Sequence, residues 1–157
     1  MPVDAPWDRE VDLLVIGAGA GGMTTALVAA LEGLQALVVE KSAHVGGTMS
    51  TSAGTIWIPG NRQSREAGHP DTAAAAATYM DALIGAPDHD GMRATYLATG
   101  PRAVDYLEAK SDVRFVPSGK HPDYRDMPGA AASGRALAPM TFDGRLLGAD
   151  FERVRPP

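Results

Sequence analysis

Gly17, Gly19 and Gly22 follow directly on the apolar run VDLLVI (residues 11–16) and precede a stretch with helical spacing, in the pattern G-x-G-x-x-G. Three missing side chains at this spacing let the chain turn sharply, let backbone amides approach a bulky anion, and let the following helix lie close to the strand. Amides at the start of a helix have no intrahelical partner and sit at the positive end of the helix dipole, so a pyrophosphate is the anion they suit. Glu40 closes the next apolar run, ALVVE (36–40). A carboxylate there can accept both hydroxyls of an adenosine ribose and disfavours a 2′-phosphate. The expected ligand is an adenine dinucleotide.

The residues after Glu40 choose between dinucleotides. Lys41 is succeeded by Val45-Gly46-Gly47-Thr48, a glycine pair with hydroxyl residues after it. These offer a second set of amides and hydroxyls to a longer cofactor, for which an ordinary NAD domain has no need. FAD is the expectation.

Pattern also places the secondary structure around these groups. Val11–Ile16 reads as a strand buried on both faces. A helix runs from Gly21 to a stop at Gly33, with Ala26, Ala30 and Gly33 keeping one stripe thin. Ala36–Glu40 is a second buried strand, which completes half of a βαβαβ unit with a right-handed crossover. Residues 42–62 read as an ordered loop with an extended piece at Thr55–Ile58. Helices are expected over Asp71–Ile84 with Asp71 as cap, over Asp88–Thr99, and over Arg102–Lys110 with Pro101 in its first turn. Val113–Val116 alternates like a strand, residues 117–139 read as irregular, and Asp143-Gly144 reads as the turn of a hairpin. The expected class is α/β: a Rossmann-like βαβ unit with a parallel sheet, a helical segment, and the start of a substrate domain.

Composition bounds the remaining possibilities. The 157 residues suit one domain of ordinary size, and 45% apolar with 21% charged residues is the balance of a folded chain. With 14 basic against 19 acidic residues the net charge is -5, which disfavours nucleic acid. The absence of cysteine excludes disulfides, thiolate metal sites and cysteine nucleophiles. MPVDAPWDRE is acidic and lacks the apolar core of a secretory signal, so the cytoplasm is the expected location. The apolar run Leu27–Val39 is broken by Glu32, Gly33 and Gln35, so no membrane span is expected.

VIGAGAGG, VVEKSAHVGGTMSTSAGTIWIPGN and, further on, HPDY, SGRALAP and FDGRLLG together resemble the N-terminal part of the flavoproteins that include fumarate reductase and succinate dehydrogenase, and within them the 3-ketosteroid dehydrogenases. The resemblance covers nearly all of this chain but only the opening part of such an enzyme. It implies FAD pyrophosphate contacts from Gly17, Ala18, Gly19, Gly21 and Gly22, with Glu40 and Lys41 on the adenosine half. Gly47, Thr48, Ser52, Ala53 and Gly54 would approach the pyrophosphate, the ribityl chain or the flavin. His44 precedes the glycine pair, so the implied FAD is non-covalent. Met49 departs from the pattern, standing where many relatives have a small hydroxyl residue. The division implied is 1–110 for the FAD-binding part and 111–157 for the beginning of the substrate-binding region.

The reaction implied is loss of hydrogen from two carbons beside a ketone, which needs a base for the alpha proton and an acceptor for the beta hydride. A phenol is a poor base near neutral pH unless neighbours stabilise phenolate. In the resembling family the motif matching His121-Pro122-Asp123-Tyr124 contributes a tyrosine that assists the base, which makes Tyr124 the catalytic candidate. The implied partners are a steroid-like substrate and a second chain or further C-terminal portion completing both sites, so turnover by residues 1–157 alone is not expected. Two other readings stand beside this one: a reductase of an unsaturated acid, held by arginines such as Arg125, Arg135 and Arg145, and a non-catalytic cofactor-binding module. Those three arginines read first as solvated loop charges. His44, His69, His89 and His121 lack metal-ligand spacing, and Asp88-His89-Asp90 reads as a helix start.

Overall fold

The computed structural model describes residues 7–157; the first six residues of the acidic N-terminal stretch lie outside the described residues. The elements form a mixed α/β arrangement in two compact units, residues 7–53 with 143–157, and residues 54–142.

In the first unit, β1 (Leu13–Ile16) and β2 (Ala36–Val39) pair in parallel, with Leu13 opposite Ala36 and Ile16 opposite Val39. They are joined through α1 (Ala20–Leu31), which gives the expected βαβ half-unit. The glycine after α1 has φ +81, as a left-handed helix stop requires. The strands are not buried on both faces as their composition predicts. Val15 is buried, whereas Leu14 and Ile16 are 54% and 83% exposed. Side chains alternate across a strand, and α1 approaches β1 at Val15, where Gly22 lies against its side chain. Asp143-Gly144 does not turn a hairpin. Asp143 instead caps 3₁₀ structure over Gly144–Arg153, kinked at Gly148, by accepting the Arg145 amide, and Gly144 leaves room for the Phe151 ring.

In the second unit, β3 (Ile56–Trp57), β4 (Phe115–Pro117) and β5 (Ala136–Pro139) form an antiparallel sheet with β5 at its centre. Around it lie α2 (Arg62–Glu66), α3 (Ala73–Ile84) and α4 (Met92–Lys110). Ile58, Val104 and Leu137 make the core, flanked by Ile56 and Phe115. Thr72, not Asp71, caps α3: its hydroxyl accepts the Ala75 amide at 3.1 Å, a contact of about 1 kcal/mol. The two helices expected over 88–110 are one, because α4 continues through Pro101. Burial of Leu97, Gly100 and Val104 on the same helix offsets the lost hydrogen bond and the ring clash. Asp88 stays outside the helix and caps it from the preceding loop, accepting the amides of Arg93 and Ala94. The start of α2 is likewise fixed by a side chain, Asn61, which accepts the Ser64 amide at 2.7 Å and donates to the carbonyls of Ile58 and Gly134.

Candidate functional site

The glycine turn is held from β2. Gly17 donates its amide to the Val39 carbonyl at 2.7 Å and then turns at φ +97, which only glycine adopts without strain. Gly22 is needed for packing: a Cβ there would overlap the Gly17 carbonyl oxygen and press on Val15. Gly19 and Gly21 are different. Neither has a positive φ, and a Cβ on either would meet no protein atom within 4 Å. The fold itself does not require glycine at these two positions, so the bare backbone they present is open to a ligand.

The amides there are available as well. The first backbone bond of α1 runs from the Met23 amide to the Gly19 carbonyl at 2.9 Å, and Gly19 brings no side-chain cap. Helix geometry therefore leaves the amides of Ala20, Gly21 and Gly22 without intrahelical partners, at the end of the helix where negative charge is stabilised. A pyrophosphate fits this cradle.

Glu40 sits at the end of β2, where its two oxygens accept the amides of Ala18 (2.8 Å) and Ser42 (2.9 Å). The Ala18 amide first, and the Ser42 amide after it, hold the carboxyl below its ordinary value, so it is ionised at neutral pH. A carboxylate has roughly four acceptor positions, which leaves room for ribose hydroxyls beside the two amides. Lys41 comes next, on the surface.

The second glycine run meets the first. Gly46 donates to the Ala18 carbonyl at 2.7 Å, and Gly47, at φ +56, lies so near Gly19 that a Cβ would be 3.0 Å from its Cα. From the other side Val45 is bridged to Val154: its amide donates to Arg153 O at 2.8 Å, and its carbonyl accepts the Arg155 amide at 2.9 Å. Thr48 leads into a 3₁₀ turn, Met49–Thr51, and Ser52 donates its hydroxyl to Met49 O at 2.9 Å. Ala53 is exposed. The contribution of residues 153–155 is invisible in the sequence, since FERVRPP carries no pattern that would pair it with a loop a hundred positions away.

Gly54 and Tyr124 belong to the second unit. Gly54 turns at φ +69 with its Cα facing the Pro139 ring, 3.0 Å from where a Cβ would be. Tyr124 is 92% exposed, with the His121 ring edge-on at 6.3 Å between centroids.

The same unit contains a cluster that reading the sequence missed. Arg135 is 1% exposed. It makes a two-pronged pair with Asp71 (2.9 and 3.0 Å), a third bond to Asp123 at 2.6 Å and a fourth to Gly129 O at 2.8 Å. Its guanidinium lies 5.5 Å from the Trp57 ring centre and 5.6 Å from that of Tyr79. Arg135 is therefore not a solvated loop charge, and Asp71 serves as its counter-ion. With all three guanidinium nitrogens engaged and the side chain buried, it is not free to hold a substrate carboxylate. Arg145 is solvated but paired with Asp143 at 2.8 Å.

A parallel strand pair, a glycine turn opening onto a helix, and an acid at the next strand end define a dinucleotide-binding domain. The chain belongs to the FAD binding domain family, whose model matches residues 12–155, and FAD is its cofactor. It is 48% identical over 141 residues to 4-oxocyclohex-2-ene-1-carboxylate 5-dehydrogenase of Sinomonas cyclohexanicum, covering 87% of this chain and 23% of that one. It is 37% identical over 150 residues to 3-oxosteroid 1-dehydrogenase of Mycobacterium tuberculosis, covering 94% and 26%. A solved structure, 3-ketosteroid delta1-dehydrogenase from Sterolibacterium denitrificans in complex with 1,4-androstadiene-3,17-dione, superposes with a TM-score of 0.83 at 40% identity, covering 93% of this chain and 26% of that one. The chain thus spans about a quarter of the length of the relatives it matches. Among the described residues no helix is long and apolar enough to cross a membrane.

Proposed function

We propose that this chain is the FAD-holding part of a dehydrogenase that removes hydrogen from two adjacent carbons beside a ring ketone, as in a 3-ketosteroid. The observation that carries this reading is the bare backbone at Gly19 and Gly21, which the fold does not need and a pyrophosphate does. When bound, FAD supplies the acceptor for a hydride. Gly17, Ala18, Gly19, Gly21 and Gly22 hold the pyrophosphate; Glu40 and Lys41 hold the adenosine half. Gly47, Thr48, Ser52, Ala53 and Gly54 approach the pyrophosphate, the ribityl chain or the flavin, and no residue is bonded covalently to the cofactor.

Residues from 111 onward begin the substrate-binding region, with 153–155 returning to brace the second glycine run, and the remainder of the protein or a second chain completes it. In that region Tyr124 assists the base by hydrogen-bonding to it and stabilising its charged form, a task for which its exposed phenol is unencumbered. The particular ketone has two candidates. A steroid is supported by the 3-oxosteroid relatives, and a small cyclic oxo acid by the 48% identical relative, whose name specifies an oxocyclohexene carboxylate. Both place a ring carbonyl beside the bond that is oxidised. Reduction of an unsaturated acid draws no support from Arg135, whose guanidinium is buried and taken up by Asp71 and Asp123.

In the full-length holoenzyme, assayed with an artificial electron acceptor against a 3-ketosteroid and a 4-oxocyclohexane carboxylate, Tyr124→Phe should lower kcat on the preferred ketone about 100-fold. Unchanged turnover would remove Tyr124 from the chemistry. Equal inactivity of the unmodified enzyme on both ketones would overturn the reaction class.

A further inference from the structure

Within residues 121–126 the most buried acid adjoins the most exposed aromatic ring. The Asp123 side chain is 3% exposed, while Tyr124 is 92% exposed and has no packing of its own beyond the edge of His121. An exposed ring is held in place through its backbone, and apart from the local bond from the His121 amide to Gly119 O, Asp123 supplies the anchors of that backbone seen among the described residues. One carboxylate oxygen accepts the Trp57 indole N–H at 2.7 Å; the other accepts Arg135 at 2.6 Å and the Ala131 amide at 3.0 Å. The Asp123 amide in turn donates to Ala131 O at 2.9 Å.

Each of these partners is itself fixed. The Trp57 ring stacks on Tyr96 at 6.4 Å and tilts against Tyr79 at 6.2 Å, and the Tyr96 hydroxyl donates to the Trp57 carbonyl. Arg135 is locked by Asp71 and by the Gly129 carbonyl. Gly129 lies so close to α3 that a Cβ would overlap Ala75 O and sit 2.6 Å from the Tyr79 amide. A buried ion pair adds little net stability over apolar residues of the same shape. A rigid frame for a neighbour is a use apolar residues would not serve, since charge-assisted bonds fix direction as well as distance.

We propose that Trp57, Asp123 and Arg135 are positioning residues, a buried clamp that fixes where the Tyr124 phenol stands during the reaction. The proposal rests on Tyr124 being the assisting group. Trp57 is the residue to perturb, because phenylalanine keeps an aromatic ring between Tyr79 and Tyr96 while removing the indole donor together with part of the ring's bulk.

The test is a double-mutant cycle in the full-length holoenzyme, with flavin content and thermal unfolding followed for each variant. Trp57→Phe should lower kcat roughly tenfold with KM within about twofold, since a displacement of around an ångström of a reacting group costs up to 100-fold. In the Tyr124→Phe background the same change should lower kcat by less than about twofold, because its effect travels through the phenol. Asp123→Asn, which keeps an acceptor for the indole and loses the charge facing Arg135, is the second variant and should behave alike. Full kcat in both Trp57→Phe and Asp123→Asn, with Tyr124→Phe impaired, would overturn the clamp and leave the role of Tyr124 standing. Equal losses in both backgrounds would also overturn it. Full activity of Tyr124→Phe would remove the reading on which the clamp rests.

Discussion

Two regions of this chain are built by opposite means. Around Gly17 to Gly22, and again at Gly46 and Gly47, side chains are left out, which lets the chain turn and backbones approach closely. Around Arg135 side chains are put in: a guanidinium, two carboxylates, an indole and a phenol ring are buried against one another. In the first region conformational freedom and close backbone approach shape the turn, so an added atom disturbs it. In the second, mutual satisfaction of charge holds the cluster, so a removed group leaves a buried charge unpaired.

Removing the central charge gives the largest expected effect. Arg135→Met leaves the carboxylates of Asp71 and Asp123 buried without their cation and should destabilise the second unit by about 3–5 kcal/mol, seen as a lower thermal midpoint or loss of soluble protein. A melting curve like that of the unmodified protein would show that the cluster is wetter than its geometry states.

Adding one carbon tests the other region. Gly22→Ala forces α1 away from the Gly17 carbonyl and displaces the free amides with it. FAD affinity of the full-length apoprotein should fall 100-fold or more, about 3 kcal/mol, measured by calorimetric titration. Retained affinity would mean that the helix start does not contribute to holding the cofactor. Gly19→Ala and Gly21→Ala sharpen the point, because their Cβ atoms meet no protein neighbour. They should weaken FAD binding while leaving the thermal stability of the apoprotein nearly unchanged.

The smallest effect is one of pH. Glu40 is the one carboxylate built into the glycine region, and the Ala18 amide, followed by that of Ser42, holds its pKa below the ordinary value. A depressed acid stabilises the folded state fully above its unfolded pKa and loses that contribution as pH falls through the lowered folded value. Thermal midpoints of the full-length protein should therefore decline as pH drops from about 5 towards 3, and less steeply in Glu40→Gln. Parallel declines in both proteins would remove the carboxylate from the support of this turn.

The glycine region could be read from sequence because its parts are local. Val11 to Glu40 holds a strand, a turn, a helix and a strand in unbroken order, and glycines at fixed spacing have few other uses. What the reading overlooked there is the exposure of Leu14 and Ile16, since an apolar run does not say whether both faces are covered. The second region was mostly illegible. ALAP (136–139) neither alternates nor ends without proline, yet it is the central strand, because β3 and β4 supply its partners from far along the chain. Pro101 read as a boundary but lies inside a helix whose buried face outweighs local preference.

Local sequence was enough for the strand-turn-helix unit, the glycines, the acid at Glu40 and hence the cofactor class, since each depends on backbone conformations that neighbouring residues dictate. Folding, by contrast, made Arg135 an internal counter-ion, gave it to Asp71 and Asp123 together, and set residues 153–155 as a brace on the second glycine run. A charge is costly to bury until its partners arrive, and those partners stand 64 and 12 positions away in the chain. No local pattern records an encounter that folding alone brings about.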